Sequence, residues 1–214
     1  MVGERALEGK FVVLGVTGGI AAYKAVEVCR RLVDLGAHVA PVMTKEATRF
    51  VGEVTFSSLA SEPVRTSMWS ESEPIPHTWL GQHADVIVVV PATAHFIASY
   101  AIGLSDNLLA STVIATRAPV VICPAMHTEM WEHLAVQENL QTLRRRGVHV
   151  VWPESGRLAG GDSGLGRLAE PARIVDEVTS VVLGSSVEMG HSLPERDLEG
   201  VRVLVTAGGT REPI

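Results

Sequence analysis

The chain has 214 residues, 46% hydrophobic and 20% charged, with 18 Lys and Arg against 24 Asp and Glu for a formal net charge of -6. That length supports one globular domain with a sizeable core plus a short additional segment. The charge is dispersed, and Arg144, Arg145 and Arg146 form the sole basic block, so no nucleic-acid or anionic-membrane footprint is expected.

The first apolar run, Phe11 to Val16, reads as a strand buried on both faces, as do Val39 to Met43, Val86 to Val90, Val120 to Cys123 and Val148 to Trp152. Helical spacing fills the gaps. From Ala21 to Leu35, apolar Ala25, Val28, Cys29, Leu32 and Leu35 recur at steps of three and four, and Gly36 stands where a C-cap belongs. Further helices are expected near His95 to Gly103, Asp106 to Thr116, Glu132 to Arg146 and Pro171 to Leu183. The three arginines then sit at a helix end, where positive charge suits the macrodipole. This alternation predicts an α/β fold of Rossmann-like type, a mostly parallel sheet with helices on both faces.

The expected domain covers residues 1–183. Residues 184–199 are rich in Gly, Ser, Glu and Pro and read as a linker. Residues 200–214 begin another strand and glycine turn, Val203 to Gly209, which echoes Val13 to Gly19 and reads as the start or remnant of a second nucleotide-binding domain. No apolar run reaches the roughly 18 to 20 residues that cross a bilayer, and no signal-peptide pattern opens the chain, so a cytoplasmic protein is expected. Cys29 and Cys123 lie in apolar segments without metal-type spacing and are expected to be buried, reduced thiols.

Ligands of such sheets bind outside the carboxyl ends of the strands. Four loops there carry the chemistry: Val16-Thr17-Gly18-Gly19-Ile20, Met43-Thr44-Lys45-Glu46, Pro91-Ala92-Thr93-Ala94-His95 and Pro124-Ala125-Met126-His127. They are expected to meet at one rim. The glycine turn before a helix allows an anion to approach free N–H groups, although glycines there also serve purely steric ends. GxGxxG is absent and no acidic residue closes the second strand, so a mononucleotide fits better than NAD. Thr44 is either a phosphate or ribitol ligand or a simple helix N-cap. His77, just before a helix, is either a catalytic base or a structural residue. No two histidines show zinc-site spacing, and no metal is expected.

Taken together and in order, several segments carry a resemblance. They are Gly15-Val-Thr-Gly-Gly-Ile-Ala-Ala-Tyr-Lys24, Thr44 to Phe50, His77-Thr-Trp-Leu80 with Ala84-Asp85, Pro91 to Ala94, Asp106 to Leu109, Pro124-Ala-Met126 with Met130-Trp131, and Gly161-Asp162 with Gly164, Gly166 and Arg167. The chain resembles the flavin-dependent cysteine decarboxylases, in particular the decarboxylase half of bifunctional phosphopantothenoylcysteine synthetase/decarboxylase, and the tail from Val203 to Pro213 resembles the opening of the synthetase.

That resemblance implies FMN held by Thr17, Gly18, Gly19, Ile20, Thr44 and the loop Pro91, Ala92, Thr93, Ala94 and His95. It implies His77 as the catalytic histidine and Ala125, Met126 and His127 against the substrate. It also implies a homotrimer, or a dodecamer of trimers, with the flavin at a subunit interface. Three positions depart from the family pattern. His127 stands where an asparagine binds the substrate carboxylate, His95 follows Pro-Ala-Thr-Ala where asparagine is usual, and Gly160 occupies the place of the reductive cysteine. Decarboxylation of phosphopantothenoylcysteine is therefore weighed against a stand-alone peptidyl-cysteine decarboxylase that releases an enethiol. A third reading is a flavin-binding regulatory subunit of a phosphatase, against which His77 and the absence of a long acidic tail both count.

Overall fold

The computed structural model describes residues 5–69 and 75–184. The linker and the expected second domain, apart from Gly184, lie outside the described residues. In chain order the elements are β1 (Phe11–Val16), α1 (Ala22–Asp34), β2 (His38–Met43), a 3-10 turn (Ala47–Arg49), α2 (Glu53–Ser57), α3 (Pro76–His83), β3 (Val86–Ala92), α4 (Ala94–Ile102), α5 (Leu108–Ala115), β4 (Val120–Pro124), α6 (Thr128–Glu132), α7 (Leu134–Arg145), β5 (His149–Val150), β6 (Glu154–Arg157), β7 (Ser163–Arg167) and α8 (Pro171–Gly184).

Five parallel strands form one sheet in the order β2-β1-β3-β4-β5, and β6 and β7 form a separate antiparallel hairpin. Alternation along each strand divides the core. Val12, Leu14, Val16, Val88 and Cys123 pack toward α1 and α8, while Val13, Ile87, Val89 and Ile122 pack toward α3, α4, α5 and α7. Both faces of the sheet are thereby covered, which is why its strands read as unbroken apolar runs. Each fully buried Leu or Ile of this core contributes about 1.5–3 kcal/mol of burial free energy.

Two expectations are corrected. The helix expected from Glu132 to Arg146 starts at Leu134, because His133 takes an extended ψ of 130° and its ring accepts from the Ala135 N–H, capping α7. The strand expected from Val148 to Trp152 shrinks to His149–Val150, an edge strand paired to β4 alone. The β6–β7 hairpin was not expected, since Glu154–Arg157 and Ser163–Arg167 carry glycine, serine and charge instead of alternating apolar residues.

Candidate active site

The chain leaves β1 toward β2 on one side and leaves β3 toward β4 on the other, so a crevice opens between the carboxyl ends of β1 and β3. In a sheet of order 2-1-3-4-5 this switch point is where a ligand, commonly a flavin mononucleotide, is held. The four expected loops do meet here. Thr17, nearly fully buried, donates from Oγ1 to the Pro91 carbonyl at 2.6 Å and accepts from the Thr93 N–H at 3.2 Å. The Thr44 N–H donates to the Val16 carbonyl at 3.0 Å, and the Ala125 N–H to the Ala92 carbonyl at 3.2 Å.

Glycine is required at the first of these turns. A Cβ on Gly18 would overlap the Glu46 Cβ and lie 2.9 Å from the Glu46 carbonyl carbon, so a side chain at 18 would push two loops apart. Helix α1 begins immediately beyond, and no side chain caps its first turn. Uncapped N–H groups at the positive end of a helix dipole favour an anion.

A cavity of about 620 Å³ extends from this turn across to the hairpin. Gly18, Gly19, Ile20, Thr93, Ala94, Ala125, Met126 and His127 all line it, so eight of the expected site residues share one space. The hairpin is docked by a hydrogen bond from the Met126 N–H to the Gly166 carbonyl at 3.0 Å. Gly166 takes a φ of +141°, and a Cβ there would overlap the Met126 carbonyl oxygen, so this contact also depends on glycine. At the hairpin tip, Leu158 donates to the Asp162 carbonyl at 2.8 Å and Gly161 to the Leu158 carbonyl at 3.0 Å, which sets Gly160 into the cavity wall.

His127 is the charged centre of that wall. Its Nε2 lies 3.0 Å from Asp162 Oδ2, and its Nδ1 is bonded to Glu129. Asp162 first and Glu129 second hold the imidazole pKa above its ordinary value, favouring imidazolium. With both nitrogens engaged, neither is free in this arrangement to donate to a substrate carboxylate. Lys24 is held by Glu170 at 3.4 Å, and Arg167 by Glu154 and Glu170, each at 3.0 Å. The Arg167 guanidinium in turn keeps the Glu154 carboxyl below the usual carboxylate range.

Other expected residues stand apart from the cavity wall. Thr44 is buried and its Oγ1 accepts from the Ala47 N–H at 3.3 Å, at the start of the 3-10 turn. Pro91 and Ala92 end β3 and are buried beneath the rim. His95 is exposed on α4. His77, expected just ahead of a helix, instead lies in the first turn of α3 behind Pro76, half-buried, with an enclosed Nδ1 that has no hydrogen-bond partner among the described residues. Arg157 and Leu158 line the cavity without having been singled out. The clustered glycines 156, 160, 161, 164 and 166 were the available signal of an unusual turn there. Among the described residues no His, Cys, Asp and Glu cluster has metal-site geometry.

A doubly wound parallel sheet with an anion-accepting glycine turn at its switch point defines a flavoprotein-type fold. The family model described as Flavoprotein matches residues 3–183, and the chain belongs to that family. It is 49% identical over 205 residues to the coenzyme A biosynthesis bifunctional protein CoaBC of Mycobacterium tuberculosis, covering 96% of this chain and 48% of that protein. The corresponding protein of Escherichia coli is 39% identical over 211 residues, covering 98% and 50%. The chain thus spans about half the length of the curated relatives it matches. Among solved structures, a PPC decarboxylase mutant complexed with pantothenoylaminoethenethiol is 31% identical with a TM-score of 0.71, covering 79% of this chain and 96% of that one. The FMN-dependent cysteine decarboxylase SpaF is 28% identical with a TM-score of 0.72, covering 83% and 98%.

Proposed function

We propose that the chain binds FMN and removes the cysteinyl carboxylate of phosphopantothenoylcysteine, giving phosphopantetheine for coenzyme A biosynthesis. The carrying observation is one cavity that joins the uncapped N-terminus of α1 to the Ala125–His127 loop and the Gly160 turn. The similarity to CoaBC proteins and to a PPC decarboxylase supports the substrate, and SpaF supports the cofactor. Gly18, Gly19 and Ile20 would hold the flavin phosphate end, with Thr93 and Ala94 beside it and Thr17, Thr44, Pro91 and Ala92 bracing the rim from below. When bound, FMN supplies reversible oxidation of the substrate thiol, which creates the thiocarbonyl that takes up the electrons left by CO2.

The residues of this chain then orient and exchange protons. Ala125 and Met126 wall the reacting end, and His77 serves as the base. His77 is not part of this cavity wall; in the proposed assembly, a homotrimer or a dodecamer of trimers with the flavin between subunits, a second copy of the chain supplies it. No described helix is long and apolar enough to cross a membrane, and a step of coenzyme A synthesis supports a cytoplasmic site of action.

Purified protein should be yellow, release FMN on heating, and convert phosphopantothenoylcysteine with evolution of CO2. Recovery of FAD, of a nicotinamide or of no cofactor, or failure to release CO2, would sink the reading. Peptidyl-cysteine decarboxylation is a second reading that one observation favours: Gly160 in the cavity wall offers no acid to reduce an enethiol.

A further inference from the structure

Four side chains that can carry positive charge line the cavity: Lys24, His127, Arg157 and Arg167. Carboxylates hold three of them. Lys24 pairs with Glu170, His127 with Asp162 and Glu129, and Arg167 with Glu154 and Glu170. Arg157, the last residue of β6, is exposed and has no carboxylate partner among the described residues. Its neighbour Gly156 explains the contrast. A Cβ at 156 would sit 3.0 Å from Arg167 Nε, so the Arg167 side chain lies across this glycine and runs to Glu154, while Arg157 stays free.

We propose that Arg157 is the specificity-determining residue that binds the phosphate of the substrate. This rests on the reading that the substrate is phosphopantothenoylcysteine. A guanidinium presents paired N–H groups that match phosphate oxygens, and it remains charged at any working pH. The same cavity lining includes the apolar Leu158, Ile20 and Met130, a surface suited to the uncharged middle of such a substrate. The flavin phosphate is the other possible source of the same chemistry. The proposed site for that group is the N-terminus of α1, which no side chain caps, and Arg157 lies on the hairpin instead. A cysteine-ending peptide carries no phosphate, so Arg157 favours the coenzyme A precursor over a peptide.

The test uses the full chain loaded with FMN, compared with Arg157→Gln and Arg157→Lys on pantothenoylcysteine with and without its phosphate. Calorimetric binding of phosphopantetheine and pantetheine gives a readout independent of turnover. Wild-type protein should favour the phosphorylated substrate in kcat/KM by about tenfold or more, the size expected of a charge-assisted hydrogen-bonded pair. Arg157→Gln should lose that preference through KM, bind both products equally and keep its FMN affinity, and Arg157→Lys should retain part of the preference. The proposal is overturned if Arg157→Gln keeps the preference, weakens both substrates alike, or loses FMN affinity instead. Wild-type protein that decarboxylates neither compound refutes the parent reading, whereas equal use of both refutes the role of Arg157 alone.

Discussion

The His127 Nε2 lies 3.0 Å from Asp162 Oδ2, and this contact ties the loop after β4 to the tip of the β6–β7 hairpin. Asp162 is the larger cause of the raised histidine pKa, with Glu129 adding to it. A histidine whose folded pKa is raised contributes its stabilisation fully below the unfolded value of about 6.5 and loses it as pH rises through the folded value. The tether is therefore expected to loosen on the alkaline side. NMR titration of the ring Cε1–H should give a midpoint above that of free histidine, and Asp162→Asn should bring it down. Hydrogen exchange at 158–162 should quicken as the ring deprotonates; exchange that ignores pH would show that the pair does not hold the hairpin.

Gly18 and Gly19 are adjacent, yet substitution should separate them. A Cβ on Gly18 overlaps Glu46, whereas one on Gly19 meets the Thr93 Cγ2 at 3.5 Å, an ordinary contact. Gly18→Ala should destabilise the flavin-free protein by about 1–3 kcal/mol, the usual cost of overpacking. Gly19→Ala should leave that stability nearly unchanged. Denaturant midpoints of the two apoproteins decide it, and equal midpoints would remove Glu46 from the account.

His77→Asn should retain FMN and abolish CO2 release, because the rim is built by other loops while the base must reach the substrate. Light scattering on the purified protein should return a trimer or a multiple of one. A monomer with full activity would require the base to come from within one chain, against the placement of His77.

Much of this architecture was legible because each central strand is buried on both faces: Val86–Ala92 has no exposed position, and its apolar run could scarcely read otherwise. The glycine turn and the Pro124–His127 loop were likewise legible, since strand ends fix where they fall. The hairpin was not. Its strands pack their backbones against the Ala125–Thr128 region through glycines, Gly164 against Thr128 and Gly166 against Met126, so no apolar alternation marks them. The isolation of His77 from the cavity was equally hidden, because the span of sequence from β2 to β3 does not state on which side of the sheet α3 packs.

The last prediction concerns Gly160. A Cβ there would lie 3.5 Å from His127 Nε2 and 3.0 Å from Asp162 Oδ1, so a side chain at 160 would reach the His127 pair. Neither native cysteine can supply an acid at this position. Both are buried, and burial pushes the Cys29 thiol up to about 11 and the Cys123 thiol higher still. Formation of phosphopantetheine requires a proton for the carbon that loses CO2, together with the hydride returned from the reduced cofactor. Asp162 and Glu129 favour the imidazolium form of His127, and once substrate displaces Asp162 from its Nε2, that ring is the group assigned to supply the proton beside Gly160. Wild-type protein held without oxygen should therefore sustain turnover and yield the saturated thiol. His127→Asn should stop after a single turnover and release the enethiol, lighter by a pair of hydrogens, and adding Gly160→Cys to that variant should restore the saturated product. Wild-type protein that itself halts with the enethiol would remove His127 from this role and turn the assignment toward a peptidyl-cysteine substrate.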